Sequence, residues 1–152
     1  MSCPVLRPFS PHDLEVLVNR DGDHDLSTTI LAQARSGIAL TAEVDGVPIG
    51  CGGLVIPWEG MGLCWMLLGE SICRYPVWLT RTVRRLLHDV ERACDLQRVE
   101  ALVLEGAPRN QRWLEQLGFT TEREGRARAY LPGHLNVIRY ERVKGLGCKP
   151  QP

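Results

Sequence analysis

Between residues 62 and 104 the chain runs apolar strand, long amphipathic helix, apolar strand, and this succession constrains the fold more than any other feature. GLCWMLL, Gly62 to Leu68, is a nearly unbroken apolar run of strand length. Pro76 then opens the longest helical pattern in the chain. Val83, Leu86, Leu87, Val90 and Cys94 recur at helical spacing, while Arg84, Arg85, Asp89, Glu91 and Arg92 take the other faces. Val99 to Leu104 returns to strand. A continuously apolar strand suits the middle of a sheet covered on both faces. Strands joined through helices imply a mixed sheet flanked by helices.

The remaining segments fit around this unit. Cys3 to Arg7 can form a short first strand, with Pro4 acceptable at a sheet edge. Ser10 before Pro11 is a good helix start, and Leu14, Leu17 and Val18 supply its apolar face. DGDHD, Asp21 to Asp25, reads as a polar turn, and Leu26 to Ala34 as a second short helix closed by Gly37. Ile38 to Val44 and Val47 to Ile56 flank Asp45-Gly46, a strong hairpin signal, and Pro57 to Gly60 reads as the next turn. After Leu104, Gln111 to Leu117 is expected to be a short helix ended by Gly118. Phe119 to Arg123 and Leu135 to Val143 are the expected last strands, antiparallel, with EGRARAYLPG between them as a turn or loop. We therefore expect one α/β domain over residues 1–144 and a poorly ordered tail over 145–152.

Composition narrows the function classes. Lys plus Arg and Asp plus Glu number 18 each, so a net charge of zero favours neither nucleic acid nor anionic membrane as a bulk partner. Local basic patches remain between Arg74 and Arg98 and between Arg123 and Arg128. The six cysteines form no C-x-x-C pair and several lie in apolar runs, which points to reduced thiols rather than a disulfide framework. His12, His24, His88 and His134 are scattered without metal-ligand spacing, so no metal is expected. No run of 18 apolar residues and no signal-like leader occurs, so the expected setting is the cytoplasm.

The element order, together with the opening LRPFSPHDLEVL and above all RWLEQLGFTTE, resembles the GNAT superfamily of acyl-coenzyme A N-acyltransferases. The resemblance runs from LRPFSPHDLEVL to the final strand NVIRYERV. CWMLL, a basic long helix and RWLEQLGF together also look like the GNAT-like proteins of tailed phages, including a small internal virion protein group. The resemblance implies acetyl-coenzyme A, or another acyl-coenzyme A, as cofactor. It implies a splay between the fourth and fifth strands that admits the pantetheine arm, with backbone of Met66, Leu67 and Leu68 facing it. It also implies a pyrophosphate held on amides at the start of the long helix, which suit an anion. Arg74, Arg81 and Asn110 are the side chains it suggests near the cofactor.

The sequence departs from the family at three places. GESICRYPVWLTRTVRR lacks the family's glycine-rich turn between strand and helix, and Gly69, the only glycine, comes too early. Counting back from Gly118, the family's asparagine position falls on Ala107. The position that often supplies a tyrosine acid falls on Leu114, which carries no proton to give.

Direct acetyl transfer needs a neutral amine, an aligned thioester and a proton acceptor. Glu70 follows the central strand at its C-terminal end, where open α/β sheets place ligands. It reads either as that base or as an exposed turn carboxylate paired with Arg74. Glu105 ends the neighbouring strand and has the same two readings. Tyr75 reads as a proton donor, a stacking ring or an ordinary loop tyrosine. Arg81 reads as a phosphate partner or as part of a solvated helix face with Arg84 and Arg85. Cys73 lies outside any apolar face, yet no histidine is near it to activate a thiolate. Trp58, Trp65 and Trp78 line a cleft or fill a core. Two functions follow: an acyl-coenzyme A-dependent acetyltransferase acting on a protein or small-molecule amine, or a GNAT-shaped protein without transfer that binds a protein partner or sits in a phage particle.

Overall fold

The computed structural model describes residues 2–17, 27–104, 108–131 and 135–144. Its strands are β1 (Val5–Pro8), β2 (Gly37–Val44), β3 (Val47–Trp58), β4 (Met61–Leu68), β5 (Arg98–Leu104), β6 (Thr120–Leu131) and β7 (Leu135–Val143). The α-helices are α1 (Asp13–Leu17), α2 (Ser27–Arg35), α3 (Pro76–Ala93) and α4 (Pro108–Gln116), and a 3-10 turn spans Glu70–Arg74. The strands form one mixed seven-stranded sheet in the order β1-β2-β3-β4-β5-β7-β6, flanked by helices as the succession of elements predicts. The chain divides into two compact units, residues 1–55 with 64–82, and residues 56–63 with 83–152.

In the first unit β1 pairs antiparallel with β2, and β2 with β3. Asp45 and Gly46 close the β2–β3 hairpin with φ of 50° and 79°, the two left-handed residues that suit strand twist. Alternation along the strands, reset by a β-bulge that leaves Ile49 as the extra residue of β3 between Pro48 and Gly50, sends side chains to two separate clusters. On one face Cys51 is buried with Leu14, Leu17 and Ile30 of α1 and α2, and Phe9, Leu31, Trp65 and Leu67 pack against them. On the other, Ala42 and Ile49 are buried with Ile72, and Leu6, Val44, Leu68, Tyr75, Trp78 and Leu79 join them. Neighbouring Leu67 and Leu68 thus serve opposite faces of one strand.

The entry into α1 is tied by a buried carboxylate. Asp13, 4% exposed, accepts the backbone N–H of Ser10 at 2.9 Å, the hydroxyl of Thr41 at 2.7 Å, and Arg7 Nη2 and Nη1 at 2.6 and 2.9 Å. Arg7 also donates from Nε to Glu43 at 2.5 Å. Ser10 therefore begins the helical turn as expected, with Asp13 reaching back to its amide in the manner of a capping box.

In the second unit β7 lies between β5 and β6, antiparallel to both. The 59–60 turn is anchored where the Gly60 carbonyl accepts the amides of Gln97 at 2.7 Å and Arg98 at 3.1 Å. The unit's buried apolar side chains among the described residues include Met61, Val99, Val103, Leu114, Phe119 and Val137. Like charges of Glu100 and Glu141 stand directly opposite across β5 and β7, and Arg98 pairs with both.

The structure differs from the sequence-based expectation at several boundaries: β1 begins at Val5 rather than Cys3, α4 at Pro108 rather than Gln111, and Gly37 opens β2 instead of closing α2. β3 continues through Trp58, so the turn shrinks to two residues. EGRARAYLPG is not a loop over most of its length: β6 runs to Leu131, with Arg126 opposite Ile138 and Leu131 opposite Leu135. Cross-strand pairing with β7 holds the segment, and Arg126-Ala127-Arg128-Ala129 carries the polar/apolar alternation of a strand, a signal the expected loop passed over. The expected tail over 145–152 and the DGDHD turn lie outside the described residues.

Candidate functional site

The segment 66–81 carries seven of the nine expected site residues, all in the first unit. Met66, Leu67 and Leu68 end β4, with the Met66 side chain 39% exposed and the two leucines half-buried. Glu70 and Arg74 begin and end the 3-10 turn and are exposed. Tyr75 is half-buried, and its ring packs on the Ala42–Ile49–Ile72 cluster, so the ordinary packing role is the one the contacts supply. Arg81 is exposed on α3. Asn110 belongs to the second unit, exposed in the first turn of α4. Glu105 lies outside the described residues.

Backbone bonding explains why no glycine-rich turn is needed here. The Gly69 amide donates to Ile49 O at 2.9 Å, Ile72 N to Gly69 O at 3.2 Å, and Tyr75 N to Ile72 O at 2.9 Å. Leu79 N then donates to Tyr75 O at 2.9 Å, the first bond of α3. Pro76 occupies the first helical position, favoured there because its missing N–H would have no helical partner. A Cβ on Gly69 would come 3.1 Å from Ile49 O and 3.2 Å from Leu17 Cδ2, a tight fit that favours glycine there for packing. This turn is anchored to the sheet by Ile72 and Tyr75, while the amides of Val77 and Trp78 fall in the first turn of α3, where a helix leaves its N–H groups without intrahelical partners. The carboxylate of Glu70 is exposed beyond the end of β4.

Helix α4, the source of the sharpest sequence resemblance, ends in a Schellman motif. Phe119 N donates to Leu114 O and Gly118 N to Glu115 O, both at 3.0 Å, with Gly118 at φ 90°. Buried Leu114 and Phe119 are the apolar pair that accompanies the motif. The two carbonyls left over are taken by arginines that sequence reasoning missed. Arg84 Nη2 donates to Gln116 O at 3.1 Å, and Arg142 Nη1 donates to Leu117 O. Cations at a helix C-terminus also meet its negative dipole end. Arg84 is thus a helix-capping residue rather than part of a merely solvated face; only the helix-ending glycine signalled that such a cap was needed.

Leu114, which the sequence resemblance sets at a tyrosine-acid position, is 7% exposed and packed. Tyr140 of β7 is buried too, and burial first, with the charge of Glu115 second, pushes its hydroxyl above the ordinary tyrosine range. It therefore stays protonated and is no base. None of the five described cysteines is in a disulfide; Cys51 is buried, Cys64 and Cys94 are half-buried, and Cys3 and Cys73 are exposed. Among the described residues no group of three His, Cys, Asp or Glu could hold a metal ion. No helix among them is long and apolar enough to cross a membrane.

No family model matches the sequence, and no curated protein matches it. Solved structures do. An IAA acetyltransferase from Bacillus cereus ATCC 14579 is 11% identical, with 93% of this chain and 99% of that chain covered at a TM-score of 0.71. Ard1 from Thermoplasma volcanium is 17% identical, covering 92% and 97% at 0.72. An acetyltransferase of the GNAT family from Streptococcus pneumoniae is 14% identical, covering 93% and 99% at 0.68. At these identities the likeness is one of fold, and it extends over nearly the whole length of each chain.

Proposed function

We propose, from the acetyltransferase fold of GNAT type as premise, that this chain is an acyl-coenzyme A-dependent N-acyltransferase acting on an amine of a protein or small molecule. The observation that carries the reading is the near-complete overlap of this chain with several acetyltransferases, 92–93% of its length. Acetyl-coenzyme A, when bound, supplies an activated thioester carbonyl. In this reading the backbone of Met66 to Leu68 orients the pantetheine arm. Glu70, exposed beyond the end of β4, takes the proton that the attacking amine must lose. The exposed guanidinium groups of Arg74 and Arg81 add positive charge along the same segment, and Asn110 is a polar group at the start of α4. Reduced thiols fit a cytoplasmic setting, that of the host if the gene is a phage's.

A second reading keeps the fold and drops the transfer: a binding protein or virion component of phage type. Two observations favour it, the packing of Tyr75 on the Ala42–Ile49–Ile72 cluster and the packed Leu114 where the resemblance sets the family's acid. Isothermal titration of acetyl-coenzyme A and coenzyme A into the reduced, folded protein separates the two. Saturable binding, followed by acetylation of an amine in an acceptor screen, is the expected result. No heat at two temperatures, at concentrations that would reveal weak binding, would sink the acyltransferase reading and leave the second.

A further inference from the structure

We infer that the outward face of α3 in the second unit docks an acidic segment of a partner protein. Arg85, His88 and Arg92 stand at i, i+3 and i+7, so they line one stripe of the helix, and Arg84 flanks it one turn before His88. All four are exposed. Arg84 donates Nη2 to Gln116 O at 3.1 Å and has four further N–H donors in its fork. Among the described residues, Arg85, His88 and Arg92 make no hydrogen bond or ion pair. Two carboxylates share this half of the helix. Glu91 is held by Arg142, with Oε1 2.8 Å from Nε, and exposed Asp89 pairs with neither Arg85 nor Arg92. Asp89 follows Arg85 by four residues, the weaker orientation for such a pair on a helix.

The chain as a whole carries 18 basic and 18 acidic residues, so this stripe is a local asymmetry and not part of a general excess. Guanidinium groups meet carboxylates through two parallel N–H donors, which gives such a surface direction as well as charge. A protein segment is favoured over a nucleic acid for three reasons. Arg85 and Arg92 lie roughly 10 Å apart along the helix axis, a short stripe for a polyanion whose affinity comes from many phosphate contacts. Asp89 would repel a phosphate, yet it can accept from a lysine or arginine set among a partner's acidic residues. Residues 83–93 contain no Phe, Tyr or Trp on which a base could stack. None of the four side chains belongs to the segment 66–81, so the inference stands whether or not the chain transfers an acyl group.

The test titrates the full chain into a fluorescently labelled oligoglutamate peptide, and separately into an oligothymidylate of equal charge, reading anisotropy. The variant is Arg85→Glu with Arg92→Glu, because neither side chain has a partner to lose; Arg84 stays in place because it caps α4. Urea unfolding checks that the variant is folded, and Arg85→Gln with Arg92→Gln serves if the reversal is not. Saturable binding of oligoglutamate is expected, on the order of tenfold weaker in the charge-reversed variant and reduced by a smaller factor in the glutamine variant. Raising salt to about 0.15 M should weaken it further, since the contacts are exposed. No binding of the peptide at low salt overturns the inference. So does binding that neither variant changes, or oligothymidylate binding more tightly than oligoglutamate through the same two arginines.

Discussion

The guanidinium of Arg142 meets the carboxylate of Glu91 with Nε 2.8 Å from Oε1, joining the last strand to the long helix 51 residues away in sequence. The same guanidinium donates to Leu117 O at the end of α4 and lies 6.0 Å from the centre of the Phe119 ring. One side chain thereby ties β7, α3 and the end of α4. Replacing Arg142 by Ala leaves a half-buried carboxylate and a helix-end carbonyl without their cation. A loss of about 2 kcal/mol is expected from urea unfolding, with Arg142→Lys in between because lysine lacks the planar fork.

Asp13 makes stability depend on acid. Hydrogen bonds from Arg7 lower its carboxyl from 3.8 to about 2 against the opposing effect of burial, with Ser10 N–H and the Thr41 hydroxyl assisting. A depressed carboxyl stabilises the fold fully above its unfolded value and loses that contribution as pH falls toward the folded one. Asp13→Asn should therefore cost about 2 kcal/mol at neutral pH. The gap between variant and wild type should close as pH falls from about 4 to about 2. A gap that stays constant over that range would refute the assignment.

Gly53 faces Trp65. A Cβ at position 53 would lie 2.9 Å from both Cζ2 and Nε1 of the indole and 2.1 Å from Ile38 O. Gly53→Ala should cost about 2 kcal/mol through strain in a packed region and shift the emission of Trp65, which packs edge-on to Phe9 at 6.2 Å. A Trp65→Phe background identifies the emitting ring.

Thiol reactivity should follow burial. Burial, with the charge of Asp13 adding to it, pushes the Cys51 thiol up to about 12, whereas Cys3 and Cys73 are exposed. Since the thiolate is the reactive form, a brief maleimide pulse on the folded protein should label Cys3 and Cys73 and spare Cys51. Unfolding in urea should remove the protection, and peptide mapping by mass spectrometry reads each site separately.

For the proposed transfer, Glu70→Gln should lower kcat about a hundredfold, the lower end for loss of a general base. Donor affinity should not change. Because Glu70 is exposed on the 3-10 turn, the variant should unfold at the same urea concentration as wild type. A wild-type kcat in Glu70→Gln would remove this residue from the chemistry.

Much of the scaffold was legible because the signals are local. The Asp45-Gly46 hairpin, the apolar run of β4, the helical spacing of α3 and the glycine that ends α4 each lie within a few turns of chain. The site was less legible. The sequence shows that the family's glycine-rich turn is missing, but not what replaces it. The 3-10 turn exists because Ile72, Tyr75 and Trp78 find Ala42 and Ile49, side chains some 30 residues upstream. Tyr75, a proton-donor candidate by position, is placed by that packing.

By itself, then, the sequence determined the alternation of strands and helices, the faces that must be apolar and the places where helices stop. Periodicity and capping are properties of neighbouring residues, so they can be read without knowing the fold. Tertiary structure decided how far β6 continues and in what register, because its pairing with β7 is interrupted between Thr121 and Arg126 and the alternation of Arg126 to Ala129 does not say which strand it meets. It alone decided that Arg84 and Arg142 cap α4, 32 and 25 residues away in sequence. A guanidinium is a long, flexible group whose partner is set by where the fold carries it, and no local spacing records that choice.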